Sequence, residues 1–379
     1  MQMARHELWE LKQMQSLPLQ AKIQMTRQRI RGWIDEFGED GVYVSFSGGK
    51  DSTVLKHIVE QDYSDVPDVF IDTMLEYPSV RRFALSFPNV IRIRPSMNIR
   101  DVHCKYGYPI ISKEVSMSIM EYRKTPNGCR KERFDPKSER NKIFPQYDMS
   151  RYSYLLKAPF NISHKCCDVM KKRPSKSYEK TENRVPIIAT MAEESRLRTT
   201  KWLQNGCNAF ENKRPTSNPM SFWTEQDVLT YIHENNLPIA EAYGEVVRDW
   251  DKEGLVEGQI DFYESVAEII PGYELPYTYK TTGCKRTGCI FCMFGITQDK
   301  DRFIRLAEQE PKLCDYVMRG GEFGENGMWQ PSKDGLGYWF VIEWLNVHGN
   351  LKIGLPDREH YLNEYQTEET RKYLEAERK

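Results

Sequence analysis

Apolar side chains at Leu8, Leu11 and Met14, and again at Ile23, Ile30, Trp33, Ile34 and Phe37, recur at helical spacing on either side of Pro18. The pattern predicts two amphipathic helices broken at the proline. The run Gly41-Val42-Tyr43-Val44-Ser45-Phe46 predicts a short buried strand. A glycine turn follows, then a helix over 52–61 whose apolar positions Val54, Leu55, Ile58 and Val59 share one face. Residues 68–73, 90–93 and 185–190 predict further strands, alternating with helical patterns. Such alternation predicts an α/β fold with a parallel sheet covered on both faces. The polar, basic stretch 125–142 holds Pro126, Gly128 and Pro136 and predicts a mobile excursion. Residues 223–235 predict a helix capped by Thr224 with acidic residues in its first turn. No internal repeat or low-complexity tract interrupts the chain.

Composition narrows this picture. A chain of 379 residues has room for a principal α/β domain and a smaller unit. The expected division is an N-terminal helical segment over 1–40, the sheet domain over 41–240 and a C-terminal extension over 241–379. Hydrophobic residues at 39% and charged residues at 29% give a globular balance, with no apolar run long enough to cross a bilayer. The mixed charges at the N-terminus do not read as a secretion signal, so a cytoplasmic location is expected. A net charge of −1 excludes a globally basic nucleic-acid binder. Over 113–184, however, basic residues outnumber acidic ones roughly two to one, whereas 241–274 is acidic, so a local anionic partner stays open. Nine cysteines in such a chain argue against a disulfide framework and toward metal ligation or redox chemistry.

The turn Ser47-Gly48-Gly49-Lys50-Asp51-Ser52 leaves a strand and opens a helix. Backbone N–H groups and the helix dipole there point at an anion, the glycines allow close approach, and Lys50 adds a mobile positive charge. The spacing is not that of a Walker A loop. It resembles the PP-loop of the ATP pyrophosphatase (adenine nucleotide alpha hydrolase-like, Rossmann-like) superfamily. The resemblance implies that Ser45, Ser47, Gly48, Gly49, Lys50, Asp51 and Ser52 bind phosphate, with Lys50, Asp51 and Ser52 the catalytic candidates.

The stretch Asp72-Thr73-Met74-Leu75-Glu76-Tyr77-Pro78 resembles the sequence after the second strand in sulfate-assimilation members, with Met74 where the family carries glycine. It makes Asp72 and Thr73 candidates for nucleotide contact. Residues 189–198, ending Glu193-Glu194-Ser195-Arg196-Leu197-Arg198, resemble the family's G-x-R-x-x-E-S-x-x-R segment. Ala189 and Met191 replace Gly and Arg, while Glu194, Ser195 and Arg198 are retained. Glu194 and Arg198 also stand at i,i+4, where a plain helix-face ion pair is the alternative.

Cys166-Cys167 and Cys289-x-x-Cys292, with Cys284 just upstream, can meet one soft metal centre, and spacing alone leaves zinc and iron–sulfur equally open. His164-Lys165-Cys166-Cys167 and Gly288-Cys289-Ile290-Phe291-Cys292 resemble the segments that hold a 4Fe–4S cluster in the iron–sulfur branch of the phosphoadenylylsulfate (PAPS) reductase family. The resemblance implies Cys166, Cys167, Cys289 and Cys292 as ligands, with Cys284 able to replace one of the adjacent pair. Cys104, Cys129, Cys207 and Cys314 read as ordinary thiols, Cys129 being placed to be reactive.

Dedicated reductases of that family end in a Glu-Cys-Gly-Leu-His segment, and residues 373–379 hold no cysteine. The phosphate loop has the full form of the ATP-cleaving members. The leading expectation is therefore an enzyme that binds ATP, or PAPS or adenylylsulfate (APS), with Mg2+, carries a 4Fe–4S cluster and performs ATP-dependent adenylyl and sulfur transfer. It would act with a sulfur donor or reductant protein, and on a tRNA or DNA acceptor. The alternatives are a sulfonucleotide reductase that releases sulfite, and a non-catalytic nucleotide and redox sensor.

Overall fold

In a computed structural model, which describes residues 5–125, 128, 130–250, 256–269 and 277–375, the run Val42–Phe46 forms strand β1. Val42, Val44 and Phe46 are buried, and so is Tyr43, which points the other way and whose hydroxyl donates to Glu179 Oε1 at 2.8 Å. A strand buried on both faces belongs in the middle of a parallel sheet. Strands β2 (Asp68–Ile71), β3 (Val90–Ile93), β4 (Val185–Ile187), β5 (Asn208–Ala209) and β6 (Thr216–Ser217) complete it in the order β3-β2-β1-β4-β6-β5. All pairs are parallel except β5 with β6. The fold is the expected α/β class.

Helices α1 (Leu8–Gln15) and α2 (Leu19–Phe37) flank Pro18 as the apolar spacing predicts. α2 packs Ile30, Trp33 and Ile34 into a core shared with Val42, Val44, Val54, Leu55 and Trp223. Two polar ties fix it there. The Trp223 indole donates to Thr26 Oγ1 at 2.9 Å, and buried Lys22 pairs with Asp227 at 2.6 Å. Asp227 also closes a capping box with Thr224 at the start of the helix Glu225–Glu234, the expected cap.

The compact units are composed differently from a linear division at residues 40 and 240. One unit consists of Met1–Arg94 with Ser175–Gly288, the other of Pro95–Pro174 with Cys289–Lys379. The chain leaves the sheet after β3, builds part of a second core, and returns before β4. That second core centres on the helix Tyr338–Gly349, which buries Tyr338, Trp339, Phe340, Val341, Ile342, Trp344 and Leu345 around its whole circumference. The described part of 125–142 is packed, not an open excursion. It forms the short turns Lys131–Phe134 and Glu139–Ile143, and Asn141 Nδ2 donates to the carbonyls of Glu132, Arg133 and Asp135. Cys129 lies outside the described residues. Arginines of the basic stretch are committed internally. Arg123 donates to the carbonyls of Leu155, Ala158 and Phe160, while Arg130 and Arg133 pair with Glu121 and Glu114. Among the described residues no helix is long and apolar enough to cross a membrane.

Candidate active site

In the sheet unit, β1 runs directly into the turn Ser47-Gly48-Gly49 and helix α3 (Lys50–Asp62), which starts two residues earlier than the apolar pattern suggests. Gly48 has φ +71°, and a Cβ there would stand 2.8 Å from the Val80 carbonyl, so glycine is required. Ser47 and Ser52 close the loop: their hydroxyls are 2.9 Å apart, and Ser52 Oγ donates to the Gly49 carbonyl at 2.9 Å. Ser45 stays on β1, in register with Val69. Lys50 is 3% exposed, and its Nζ lies 3.0 Å from Asp51 and 3.4 Å from Glu225. Burial works against its charge, but these carboxylates outweigh it and hold the Lys50 pKa above its ordinary value.

Tyr243 and Thr287 were not identifiable from the loop motif. The Lys50 backbone N–H donates to the Tyr243 hydroxyl at 3.3 Å, and that hydroxyl lies 2.5 Å from Thr287 Oγ1. A polar oxygen thus sits on an amide that an anion would use. Arg286, from the same segment as Thr287, acts on Arg198, whose pKa falls below its usual value through burial and this like charge, with Asp51 opposing. The sequence carried a signal in Lys285-Arg286-Thr287, but that segment reads first as part of a cysteine motif.

Glu194 and Arg198 do form the i,i+4 ion pair, and Glu194 also accepts from the Met191 N–H at 2.9 Å. Ser195 caps the helix Arg196–Asn205. Arg198 lines a 610 Å³ cavity with Thr190, Met191, Lys201, Arg214 and Asn218, a size suited to a small-molecule ligand. Asp72 has a different occupation from nucleotide contact: its buried carboxylate holds Arg81 at 2.8 Å and also pairs with Arg92. Burial opposes its ionisation, yet hydrogen bonds from the two arginines hold its pKa below the ordinary carboxylate value. Thr73 Oγ1 donates to Glu76 at 2.7 Å. Met74 adopts φ +59°, the left-handed region a glycine would occupy freely.

Cys166, Cys167, Cys289 and Cys292 fall together in the second unit. Burial, and then the neighbouring thiols, push the Cys166 thiol well up and the Cys292 thiol to about 11, so the four thiols lie close enough to act on one another electrostatically. Cys166-Cys167 lead into a π-helical turn at Asp168–Lys172, a wide turn of the kind found at functional sites. Cys292 N–H donates to the Cys289 carbonyl at 3.0 Å, and Arg302 donates to the carbonyls of Cys292 and Phe294. Among the described residues no three His, Cys, Asp or Glu side chains are arranged to hold a single metal ion. The donor set suits a larger sulfur-ligated group: four thiols under an aromatic shield in which Phe291 and Phe303 each stand 5.9 Å from the Tyr338 ring. The Tyr338 hydroxyl is buried without a hydrogen-bond partner among the described residues. Cys284 lies in the sheet unit, its N–H donating to the Ala242 carbonyl at 2.8 Å. Cys104 and Cys314 donate to the carbonyls of Pro331 and Phe303, and Cys207 accepts from Ser221.

Residues 113–293 match the family model of the phosphoadenosine phosphosulfate reductase domain, just under half of the chain, including the four facing cysteines and Arg198. The match begins after the loop 47–52. Among curated proteins none matches. A crystal structure of phosphoadenylyl-sulfate (PAPS) reductase from Candida auris, in a phosphate complex, is 14% identical over 63% of this chain and 92% of that one, with a TM-score of 0.33. Over residues 113–293, therefore, the chain is similar to the phosphoadenosine phosphosulfate reductase domain.

Proposed function

We propose that the chain binds an adenine nucleotide as its magnesium complex on the loop 47–52 and cleaves it at the α-phosphate. The observation that carries this reading is the strand–loop–helix turn with Lys50 buried at its head and the N-terminus of α3 behind it. An acceptor oxygen attacks the α-phosphorus, the bond from that phosphorus to the bridging oxygen breaks, and pyrophosphate leaves. A sulfur donor then displaces AMP from the acceptor, giving net transfer of sulfur. Lys50 and the loop amides stabilise charge on the departing pyrophosphate. For the Lys50 amide to engage phosphate, the Tyr243 hydroxyl has to move off it.

A 4Fe–4S cluster held by Cys166, Cys167, Cys289 and Cys292 completes the proposal, supported by the four facing thiols and the unpartnered Tyr338 hydroxyl. Such a cluster, when bound, supplies electrons or a place to hold sulfur. The family match favours a second reading, reduction of a sulfonucleotide with release of sulfite.

One experiment separates the two. The anaerobically purified chain is incubated with labelled ATP, or with adenylylsulfate or phosphoadenylylsulfate, and pyrophosphate and sulfite are measured. The expected result is pyrophosphate from ATP, reduced about 10²–10³-fold in Lys50→Ala. Sulfite without ATP cleavage transfers the protein to the reductases.

A further inference from the structure

In the thiol-bearing unit two tyrosines are fully buried side by side, Tyr108 and Tyr338, with ring centroids 5.4 Å apart. Their hydroxyls are treated differently. Tyr108 donates to the Leu336 carbonyl at 2.7 Å, as a buried hydroxyl should. The Tyr338 hydroxyl has no partner among the described residues, although its residue is 0% exposed. If packing were the whole purpose, phenylalanine would serve better at this position, since it fills the same space without stranding a donor.

The surroundings identify what the donor faces. Besides burial, the groups acting on the Tyr338 hydroxyl are Cys166, Cys292, Tyr108 and Cys289. Phe291, which stands between Cys289 and Cys292 in the chain, and Phe303 both pack edge-on against its ring, with centroids 5.9 Å away. Its backbone is fixed as well. Tyr338 is the first residue of its helix, after Gly337 at φ +68°, where a Cβ would come within 2.8 Å of the Trp329 indole nitrogen.

We propose that the Tyr338 hydroxyl donates a hydrogen bond to sulfur of the group held by Cys166, Cys167, Cys289 and Cys292 and so sets its reduction potential. This rests on the cluster reading above. Tyr338 is a positioning and tuning residue, not a ligand: a donor to sulfur stabilises the electron-richer reduced state and raises the potential.

The test uses the full chain, reconstituted anaerobically with iron and sulfide. Iron and sulfide are quantified first, then midpoint potentials are read by spectroelectrochemical titration for the wild type, Tyr338→Phe and Tyr108→Phe. Tyr338→Phe should keep its iron and show a lower midpoint potential, with Tyr108→Phe unmoved. Resonance Raman of the wild type in D2O should show shifted iron–sulfur stretching modes, and Tyr338→Phe should show a smaller shift, the backbone N–H of Phe294 remaining as a donor to Cys292. An iron-replete Tyr338→Phe with an unchanged potential overturns the inference while leaving the cluster reading intact. A wild type that takes up no iron overturns both. If Tyr338→Phe does not fold, Tyr338→Leu is titrated in its place: a lower midpoint potential supports the hydrogen bond and an unchanged one removes it.

Discussion

The two units solve opposite problems with opposite materials. Around the phosphate loop the chain gathers charge and hydroxyls, and every group is already answered: Lys50 by Asp51 and Glu225, Ser47 by Ser52, the Lys50 amide by Tyr243. Around the thiols it gathers aromatic rings, and the polar group among them, the Tyr338 hydroxyl, is left unanswered. A loop satisfied by its own side chains can exchange those contacts for a ligand's at little net cost, so it suits a substrate that comes and goes. Partly buried thiols beside a buried, unpaired donor suit a group that stays.

The sharpest way to break this comparison is through the cysteines. Cys292→Ser should lose most of its iron from a wild-type content of about four per chain. Cys284→Ser, in the sheet unit, should keep it. Iron analysis after anaerobic reconstitution reads both, and iron loss in Cys284→Ser would mean that the ligand set crosses from one unit's sequence into the other's.

Next in size is Asp72, the buried charge of the sheet unit. Asp72→Asn leaves Arg81 and Arg92 without their shared carboxylate and should cost about 3 kcal/mol, the low end for a broken buried pair because both guanidiniums reach solvent. Since folding lowers the Asp72 pKa, its contribution is full above the unfolded carboxylate value of about 4 and disappears as the pH falls through the folded one. Urea unfolding should therefore separate wild type and variant at pH 7 and bring them together in acid. A gap that persists there would assign the effect to packing instead.

What could be read in advance followed the same divide. The phosphate loop is contiguous, so Ser47 to Ser52 and the strand before them were legible from six residues and their flanks. The helix cap at Thr224 was legible because a capping box is local. Tyr243 and Thr287 reach the loop only through the fold, from positions almost two hundred residues or more along the chain, as Arg286 reaches Arg198. Strands β5 and β6, at two residues each, are too short to carry a period. The helix Tyr338–Gly349 is buried on every side, so it lacks the polar stripe by which helices are recognised. The stretch 125–142 looked open because most of its polar residues are exposed, and only a few, Arg133, Ser138 and Asn141, turn inward. The grouping of Cys166, Cys167, Cys289 and Cys292 came from family resemblance, since spacing cannot join segments more than a hundred residues apart.

A smaller effect tests whether the loop is poised for exchange. Tyr243→Phe removes the hydroxyl that holds the Lys50 amide, a bond worth about 1 kcal/mol that a bound phosphate would displace anyway. Stability should fall by about that amount, and nucleotide affinity, measured by calorimetry, should tighten by no more than about fivefold. Weaker binding would mean that Tyr243 contacts the nucleotide itself.

The smallest effect concerns Met74, which stands after β2 where the segment it resembles carries glycine. Met74 holds φ +59° while 64% exposed, so it bears the left-handed backbone cost without burying its side chain in return. That cost is about 1–2 kcal/mol for a residue with a Cβ, and glycine escapes it. Glycine also gains about 0.4–1 kcal/mol of freedom in the unfolded chain, which acts the other way. Met74→Gly should therefore stabilise the protein by roughly 0.5–1 kcal/mol, read as a higher urea midpoint at unchanged slope. If the midpoint falls, the exposed methionine is stabilising this edge of the sheet unit by contacts that outweigh its backbone strain, and the glycine of the family's pattern has been replaced for packing.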